Sequence, residues 1–223
     1  MFSKFKILNS FHLKIIALVT MVIDHFGALF FPENDCLRII GRIAFILYAF
    51  MLVEGVFYTK NIHNYIYKIF IWAIISEIPF DLAFYGKLYY FGHQNIFFTL
   101  LISILGLYFF KHCKNIFLSL IVGLVCLVVS ILLKVDYSWY GVLIIFFFYF
   151  LRNIPVLKLT LIETTSIIAS FKVFGLQFFA FLGFIPILLY NGKKGKKIGN
   201  IYYSFYALHL LIFAIIRICF LKL

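Results

Sequence analysis

The stretch that decides the fold is Leu13–Phe31, LKIIALVTMVIDHFGALFF, which is apolar almost throughout. A run of roughly 20 apolar residues is as long as a helix needs to be to cross the hydrocarbon core of a bilayer. Pro32 follows it and favours the end of the helix. Asp24 and His25 interrupt the run, and ionisable residues inside such a helix mark a functional site by default. We therefore expect a membrane helix whose second half carries chemistry.

The rest of the chain has the same character. Its 223 residues are 65% hydrophobic and 22% aromatic, only 13% are charged, and the mean hydropathy is +1.09. Soluble domains are roughly half apolar and about a quarter charged, so a soluble core would not absorb this excess. We expect an all-α, polytopic membrane bundle of about nine transmembrane helices. Residues 1–223 would form a single transmembrane domain with no soluble domain beside it.

The predicted helices are the apolar runs that lie between clusters of Pro, Gly, Asn and charged residues. They cover Leu13–Phe31, Leu37–Tyr58, Tyr65–Tyr85, Asn95–Phe110, Ile116–Leu133, Trp139–Leu151, Ile154–Phe171, Val173–Tyr190 and Ile201–Phe220. The seventh run is the least regular because it contains Lys158 and Glu163.

Basic residues concentrate at the N-terminus and on alternate loops. The chain has 20 Lys+Arg against 8 Asp+Glu, a net charge of +12. In a soluble protein this charge would suggest nucleic acid, but the alternation is typical of the positive-inside rule, so no nucleic-acid partner is expected. The rule places the N-terminus in the cytoplasm, together with the lysine loop, NGKKGKK, residues Asn191–Lys197.

Neither the cysteines nor the N-terminus indicates another class of protein. The four cysteines have no metal-ligand spacing and no pattern of a disulfide framework, so no metal is predicted. The basic N-terminus resembles a signal peptide, but Asp24 and His25 interrupt its apolar run and no small-residue cleavage site follows. We expect a retained first helix.

Polar residues inside the predicted helices or at their starts share one depth. Placed by the loop charges, they fall in the half of the bundle away from the lysine loop, with His209 at mid-depth and Glu54 as the exception. The set comprises Asp24, His25, Arg38, Arg42, Glu77, Asp81, Gln94, Asn95, Asp136, Tyr140 and His209. A charge at the bilayer centre costs about 2.5–3.5 kcal/mol on insertion scales, so these residues are expected to face the interior.

Each of these groups of polar residues could also have a purely structural role. The sequence leaves the functional and the structural explanation open. The arginines of the second helix and the carboxylates of the third could be ion pairs that tie the two helices together. The amides that open the fourth helix and Tyr140 could be interfacial residues. The Asp24–His25 pair and His209 could be packed and satisfied inside the bundle. The lysine loop could be a topology signal alone.

Histidines and carboxylates in a dry pocket suit proton transfer. A histidine takes a proton near neutral pH, and a neighbouring carboxylate can orient it. Arginines can hold a carboxylate, a phosphate or a developing oxyanion. This set fits acyl transfer to an amine or hydroxyl, and it fits proton-coupled transport equally well.

Several segments, in order along the chain, resemble the TraX family of membrane proteins. They are LKIIALVTMVIDHFGALFFP (Leu13–Pro32), LRIIGRIAFILYAFMLVEG (Leu37–Gly55), ISEIPFDLAF (Ile75–Phe84), QNIFFTL (Gln94–Leu100), DYSWYGV (Asp136–Val142), LLYNGK (Leu188–Lys193) and YALHLL (Tyr206–Leu211). The family's last motif has Pro where this chain has Ala207, but the histidine is present at His209.

The resemblance implies a link to conjugation systems, in which TraX acetylates the N-terminus of the pilus subunit. It also implies kinship with larger membrane acyltransferases that take acetyl-CoA from the cytosol and acylate an acceptor on the other side, with a histidine of an early helix in catalysis. Asp24-His25 is the matching position. The expected location is the inner membrane of a bacterium. The acceptor itself does not carry over.

From these observations we expect an acyltransferase with acetyl-CoA or another acyl-CoA as donor, and an extracytoplasmic protein N-terminus, peptide or glycan as acceptor. His25 would be the general base or transient acyl carrier, Asp24 would orient it, and His209 would be a second base. Arg38 or Arg42 would stabilise the oxyanion or bind phosphate. The acceptor pocket would comprise these arginines with Glu77, Asp81, Gln94, Asn95, Asp136 and Tyr140, and the cofactor would contact Lys193, Lys194, Lys196 and Lys197. A proton-coupled transporter and a non-catalytic assembly partner are the alternatives.

Overall fold

A computed structural model describes residues 6–170 and 175–221. Within them the chain is helical, with two isolated β-bridges and no strand. The helices are α1 (Ser10–Phe30), α2 (Asp35–Tyr58), α3 (Ile62–Tyr85), α4 (Ile96–His112), α5 (Ile116–Leu132), α6 (Ser138–Phe150), α7 (Pro155–Ser170), α8 (Phe184–Leu188) and α9 (Ile201–Leu221), with a 3-10 helix at Leu176–Gly183. The all-helical class expected from the sequence is confirmed for this part of the chain.

Asparagine starts each of the first five helices. The side chains of Asn9, Asn34, Asn61, Asn95 and Asn115 accept hydrogen bonds from backbone N–H groups of the first turn. These N–H groups have no partner inside the helix, and an asparagine at this position satisfies one or two of them. The caps also explain why α1 and α3 begin about one turn before the predicted runs, since hydropathy does not detect a polar first turn.

Helices α1 and α2 form an antiparallel hairpin at the centre of the bundle. Their backbones approach closely at Gly41, where a Cβ atom would overlap the side chain of Asp24. Gly27 likewise leaves room for Leu37. Helix α9 packs against α3 and α1. This arrangement brings the second half of α1, the first half of α2 and the middle of α9 together.

The eighth predicted helix, Val173–Tyr190, is wrong as a single helix. Val173 and Phe174 lie outside the described residues, and the run from Leu176 to Leu188 forms the 3-10 helix followed by the five-residue α8. Gly175 starts the segment with φ +69°, a backbone conformation that favours glycine. Gly183, at the junction, packs directly on Ile46, so a side chain there would collide with α2. Hydropathy identified the apolar run but not this break.

Three of the described helices are long and apolar enough to cross a membrane: Ser10–Phe30, Asp35–Tyr58 and, within α9, Ile201–Cys219. This supports a membrane protein. Several others are apolar but shorter; α6, for example, has 13 residues, or about 20 Å, against a hydrocarbon core of about 30 Å. Length and composition therefore support three spans among the described helices, and the nine expected from the sequence are not confirmed.

Candidate functional site

Two cavities lie at opposite ends of the bundle. The first, of about 580 Å³, is lined by the start of α1, the end of α2, the starts of α3 and α9, and the lysine loop. The second, of about 560 Å³, is lined by the second half of α1, the start of α2, the end of α3 and the α5–α6 loop. We call them the basic cavity and the His25 cavity. His25 lines the second, as do Asp24, Arg38, Arg42, Asp136 and Tyr140.

His25 of α1 is hydrogen-bonded to His209 of α9. The His25 Nδ1 and His209 Nε2 atoms are 2.7 Å apart, and the two rings are nearly parallel with centroids 5.0 Å apart. Both side chains are buried, at 9% and 5% exposure. The Nδ1 atom of His209 lies 2.8 Å from the carbonyl oxygen of Phe205. The structure thus joins the first and last helices through these two histidines.

This chain of contacts fixes the positions of the protons when both rings are neutral. A carbonyl oxygen only accepts, so His209 donates from Nδ1 to Phe205 and is left with an acceptor at Nε2. His25 then donates from Nδ1 to His209, and its own Nε2 carries a free lone pair. No hydrogen bond within the described residues occupies that atom. The carbonyl and His209 therefore hold His25 in the tautomer that a general base needs.

Asp24 is held by two arginines and not by His25. Its carboxylate lies 2.9 Å from Arg38 Nη1 and 2.7 Å from Arg42 Nη2, and Arg38 also donates to the Asp24 backbone carbonyl at 3.0 Å. The expected role of Asp24 in orienting His25 is therefore wrong, because His209 does this. The suggested ion pairs between the second and third helices are also absent among the described residues, since both arginines contact α1.

The α5–α6 loop completes the His25 cavity. Arg42 lies over the Tyr137 ring at 5.6 Å, and Phe45 stacks on that ring at 4.0 Å. Tyr137 has φ +59°, which is strained for a residue with a side chain and persists only where the surroundings enforce it. Asp136 accepts a hydrogen bond from the Tyr137 N–H at 3.0 Å and lies 3.8 Å from His93. Tyr137 and Asp136 thus place an aromatic ring and a carboxylate in the lining of the cavity that contains His25.

Tyr140 lines the same cavity, and its hydroxyl pairs with Ser166 of α7 at 2.8 Å. This contact ties α6 to α7. Tyr140 is therefore a buried wall of the cavity rather than the interfacial residue that the sequence left open.

Four other predicted acceptor-site residues lie outside the lining of the His25 cavity. Glu77 accepts from the backbone N–H and side-chain amide of Asn95, which caps α4. Asp81 accepts from the Tyr90 N–H at 2.7 Å. Gln94 exchanges backbone hydrogen bonds with the α5–α6 loop, donating to Lys134 and accepting from Asp136. Together they fasten the connection between α3 and α4, and through Gln94 they fix the loop that carries Tyr137.

The lysine loop is docked on the N-terminus of α1. The N–H groups of Ser10 and Phe11 donate to the carbonyls of Lys193 and Lys194 at 2.8 and 3.2 Å. The loop therefore satisfies N–H groups that helix α1 leaves free. Lys194, Lys196 and Lys197 line the basic cavity, but Lys193 does not.

Other lysines and several tyrosines surround the same space. The lining also includes Lys14, Lys60, Lys68, Tyr48, Tyr65, Tyr190, Tyr202, Tyr203 and Tyr206. None of the lining lysines forms an ion pair among the described residues. Glu54 lies in the same lining and is paired with Arg152 at 2.9 Å. Burial, together with the nearby Glu54 carboxylate, raises the pKa of Tyr190 to about 12, so its hydroxyl keeps its proton.

Several lining residues were not predicted as site residues from the sequence. Lys14, Lys60 and Lys68 are far apart in the chain and were interpreted only as loop charge, although they surround one cavity. Tyr137 and Tyr206 are two of 15 tyrosines; both lie in segments that resemble the TraX family, but neither was assigned a role. The positive φ of Tyr137 and the position of Tyr206 against His25 appear only in three dimensions.

Comparisons with known proteins agree on one family. The TraX family, described as TraX protein, matches residues 10–217. A relative, the probable fimbrial assembly protein FimC, serogroup H1, of Dichelobacter nodosus, is 28% identical, and the alignment covers 91% of this chain and 93% of the relative. No solved structure matches significantly. The match extends from the first turn of α1 into the last turns of α9, and the chain belongs to the TraX family.

Proposed function

We propose that this protein is a membrane-embedded acyltransferase, which moves an acyl group from an acyl-CoA in the basic cavity to an amine or hydroxyl in the His25 cavity. The supporting observation is the wall between the cavities. His25 lines one cavity, and its ring touches Tyr206, which lines the other, with centroids 5.8 Å apart. A base with a free lone pair thus lies where the two spaces meet.

The basic cavity suits the donor. Its six lining lysines, at the mouth and sides, provide ammonium groups for the phosphates of coenzyme A. Lys14 and His25 lie on the same helix, and the rise between them is about 16 Å. An extended pantetheine arm covers that distance. Phosphates held near Lys14 and the lysine loop would therefore place the thioester beside Tyr206 and His25.

The transfer needs only groups that the chain and the two substrates supply. The acceptor nitrogen or oxygen attacks the thioester carbonyl carbon, and His25 Nε2 takes the proton that the acceptor loses. The tetrahedral intermediate collapses with cleavage of the carbon–sulfur bond, and His25 returns the proton to the sulfur of CoA. The products are the acylated acceptor and free CoA. His209 keeps its hydrogen bond to Nδ1 and stabilises the imidazolium that forms in between.

In the orientation that we propose, residues 1–223 form one transmembrane domain in the inner membrane, with about nine helical segments in or against the bilayer. The N-terminus and the lysine loop face the cytosol, where acyl-CoA is found, and the His25 cavity faces outward. The exposed surface of α5, of which only Ser130 is buried, would lie against lipid.

A role in the assembly of pili or fimbriae is the more general proposal, and the similarity to a probable fimbrial assembly protein of Dichelobacter favours it. Acylation of a pilus or fimbrial subunit would unite the two readings. A non-catalytic assembly partner would instead have no use for the tautomer that His209 imposes on His25.

The test uses purified protein in liposomes, labelled acetyl-CoA, and a short peptide with a free N-terminal amine and a serine hydroxyl. We expect label to reach the peptide, and His25→Ala to lower the rate by about 10²–10⁴-fold, the usual contribution of a general base. His63→Ala removes an exposed histidine outside both cavities and should change nothing. Undiminished transfer by His25→Ala would refute the assignment of the base. Peptide-stimulated proton flux without label transfer would favour a transporter.

A further inference from the structure

Tyr206 lies at the deep end of the basic cavity. It is on α9, one turn beyond Tyr202 and three residues before His209, and it is 3% exposed. Its ring meets Phe97 of α4 edge-on at 5.2 Å and His25 of α1 edge-on at 5.8 Å. A molecule that enters the cavity past the lysines therefore reaches Tyr206 before it reaches His25.

The hydroxyl of Tyr206 is buried, and no described residue accepts a hydrogen bond from it. The backbone N–H of Ile96, which acts on its oxygen, can only donate. Buried hydroxyls nearly always have a partner, because leaving one unpaired costs about 1–3 kcal/mol. By contrast, the other buried tyrosine of α9, Tyr202, directs its hydroxyl to the sulfur of Met51. The proton of this hydroxyl therefore lacks an acceptor among the described residues, which points to a ligand that supplies one.

We propose that the Tyr206 hydroxyl donates a hydrogen bond to the thioester carbonyl oxygen of the acyl-CoA and stabilises the oxyanion that forms there. This rests on the proposed function, and it supplies a residue for a role that the sequence assigned to Arg38 or Arg42. Both arginines are engaged by Asp24, and both line the His25 cavity rather than the basic one.

The chemistry is a redistribution of charge without proton transfer from Tyr206. As the acceptor attacks, the carbonyl π electrons move to oxygen, and the Tyr206 O–H shortens its hydrogen bond to that oxygen. When the carbon–sulfur bond breaks, the electrons return and the carbonyl is restored. Tyr206 thus holds the carbonyl from one side while His25 takes the acceptor's proton on the other. The edge contact of the two rings sets the separation of the two groups.

Tyr206→Phe removes the hydroxyl and leaves the ring in place, so packing against His25 and Phe97 is retained. We expect the kcat for acetyl transfer to fall by about 10²-fold or more, the effect of deleting one oxyanion donor, with the KM for acetyl-CoA unchanged. Tyr108→Phe, which removes a hydroxyl outside both cavities, is the control and should keep its kcat. Equal kcat values for Tyr206→Phe and the unaltered protein would overturn the inference and leave the acyltransferase assignment intact.

A second measurement does not depend on turnover. Acetyl-CoA labelled with ¹³C at the carbonyl is bound to the His25→Ala protein, and its carbonyl stretch is recorded by difference infrared spectroscopy. A hydrogen bond from Tyr206 lowers this frequency, and the double variant His25→Ala/Tyr206→Phe should restore the value of free acetyl-CoA. The same frequency in both variants would contradict the hydrogen bond. If instead no donor supports transfer by the unaltered protein, the proposed function fails, whatever the frequency is.

Discussion

The two ends of the molecule both carry clustered cations, but in different chemical states. At the lysine end, Lys194, Lys196 and Lys197 are exposed on the lining of a cavity and have no carboxylate partner in the described part of the chain. At the opposite end, Arg38 and Arg42 share the carboxylate of Asp24, and Arg42 is only 6% exposed. The lysines are free to bind an anion, whereas the arginines already have one.

The difference follows from the chemistry of each side chain. Two planar guanidinium groups can each approach one carboxylate oxygen, and Arg remains charged when it is buried. Lysines on a solvent-exposed loop pay little for desolvation and keep their hydration until a ligand arrives. Positive charge therefore has two roles in this protein. The arginines support the structure beside His25, and the lysines are available to bind a ligand at the basic cavity. The sequence displays the charges but not which of them are paired.

The largest expected effect is a difference in cysteine labelling, because the two ends of the molecule should lie on opposite sides of the membrane. Cys36, exposed next to the His25 end, is retained as the single cysteine in one variant. In a second variant all native cysteines are replaced and Lys193→Cys is introduced. In right-side-out vesicles a membrane-impermeant maleimide should label Cys36, and should label the lysine-loop cysteine only after permeabilisation. Labelling with the reverse pattern would invert the proposed orientation.

The next effect tests the arginine end. Asp24→Ala leaves the buried Arg42 and the partly exposed Arg38 without their carboxylate partner. We expect the free energy of unfolding in detergent to fall by about 3–5 kcal/mol, mainly because of Arg42. Glu33→Ala removes an exposed carboxylate from the α1–α2 turn and should change it by less than about 0.5 kcal/mol. If Asp24→Ala is as stable as Glu33→Ala, the salt bridges do not support the site as described.

Much of this architecture could be predicted from the sequence because it depends on one-dimensional signals. Apolar runs gave most of the helices, and the ionisable pair inside Leu13–Phe31 identified His25 as a residue of interest. The rule that charges avoid lipid also placed Asp24, Arg38 and Arg42 at one depth, where the structure joins them.

The partners of each group could not be predicted, since depth does not determine which faces meet. His25 and His209 are separated by 184 positions in the chain, and no spacing indicates their contact. The adjacency of Asp24 and His25 suggested a pair, but consecutive residues of a helix point in different directions. The break in the predicted eighth helix at Gly183 could not be predicted for a similar reason, because it depends on close packing against Ile46.

The smallest expected effect is at the lysine end, and the chain provides its own control. Lys196→Gln removes a charge from the lining of the basic cavity, and Lys193→Gln removes one from the same loop outside it. Exposed ion pairs contribute roughly 0.2–1 kcal/mol, so the KM for acetyl-CoA should rise by up to about fivefold for Lys196→Gln and stay constant for Lys193→Gln. Added salt should shrink the difference by screening. Equal responses would mean that the loop attracts CoA by its overall charge rather than by cavity contacts.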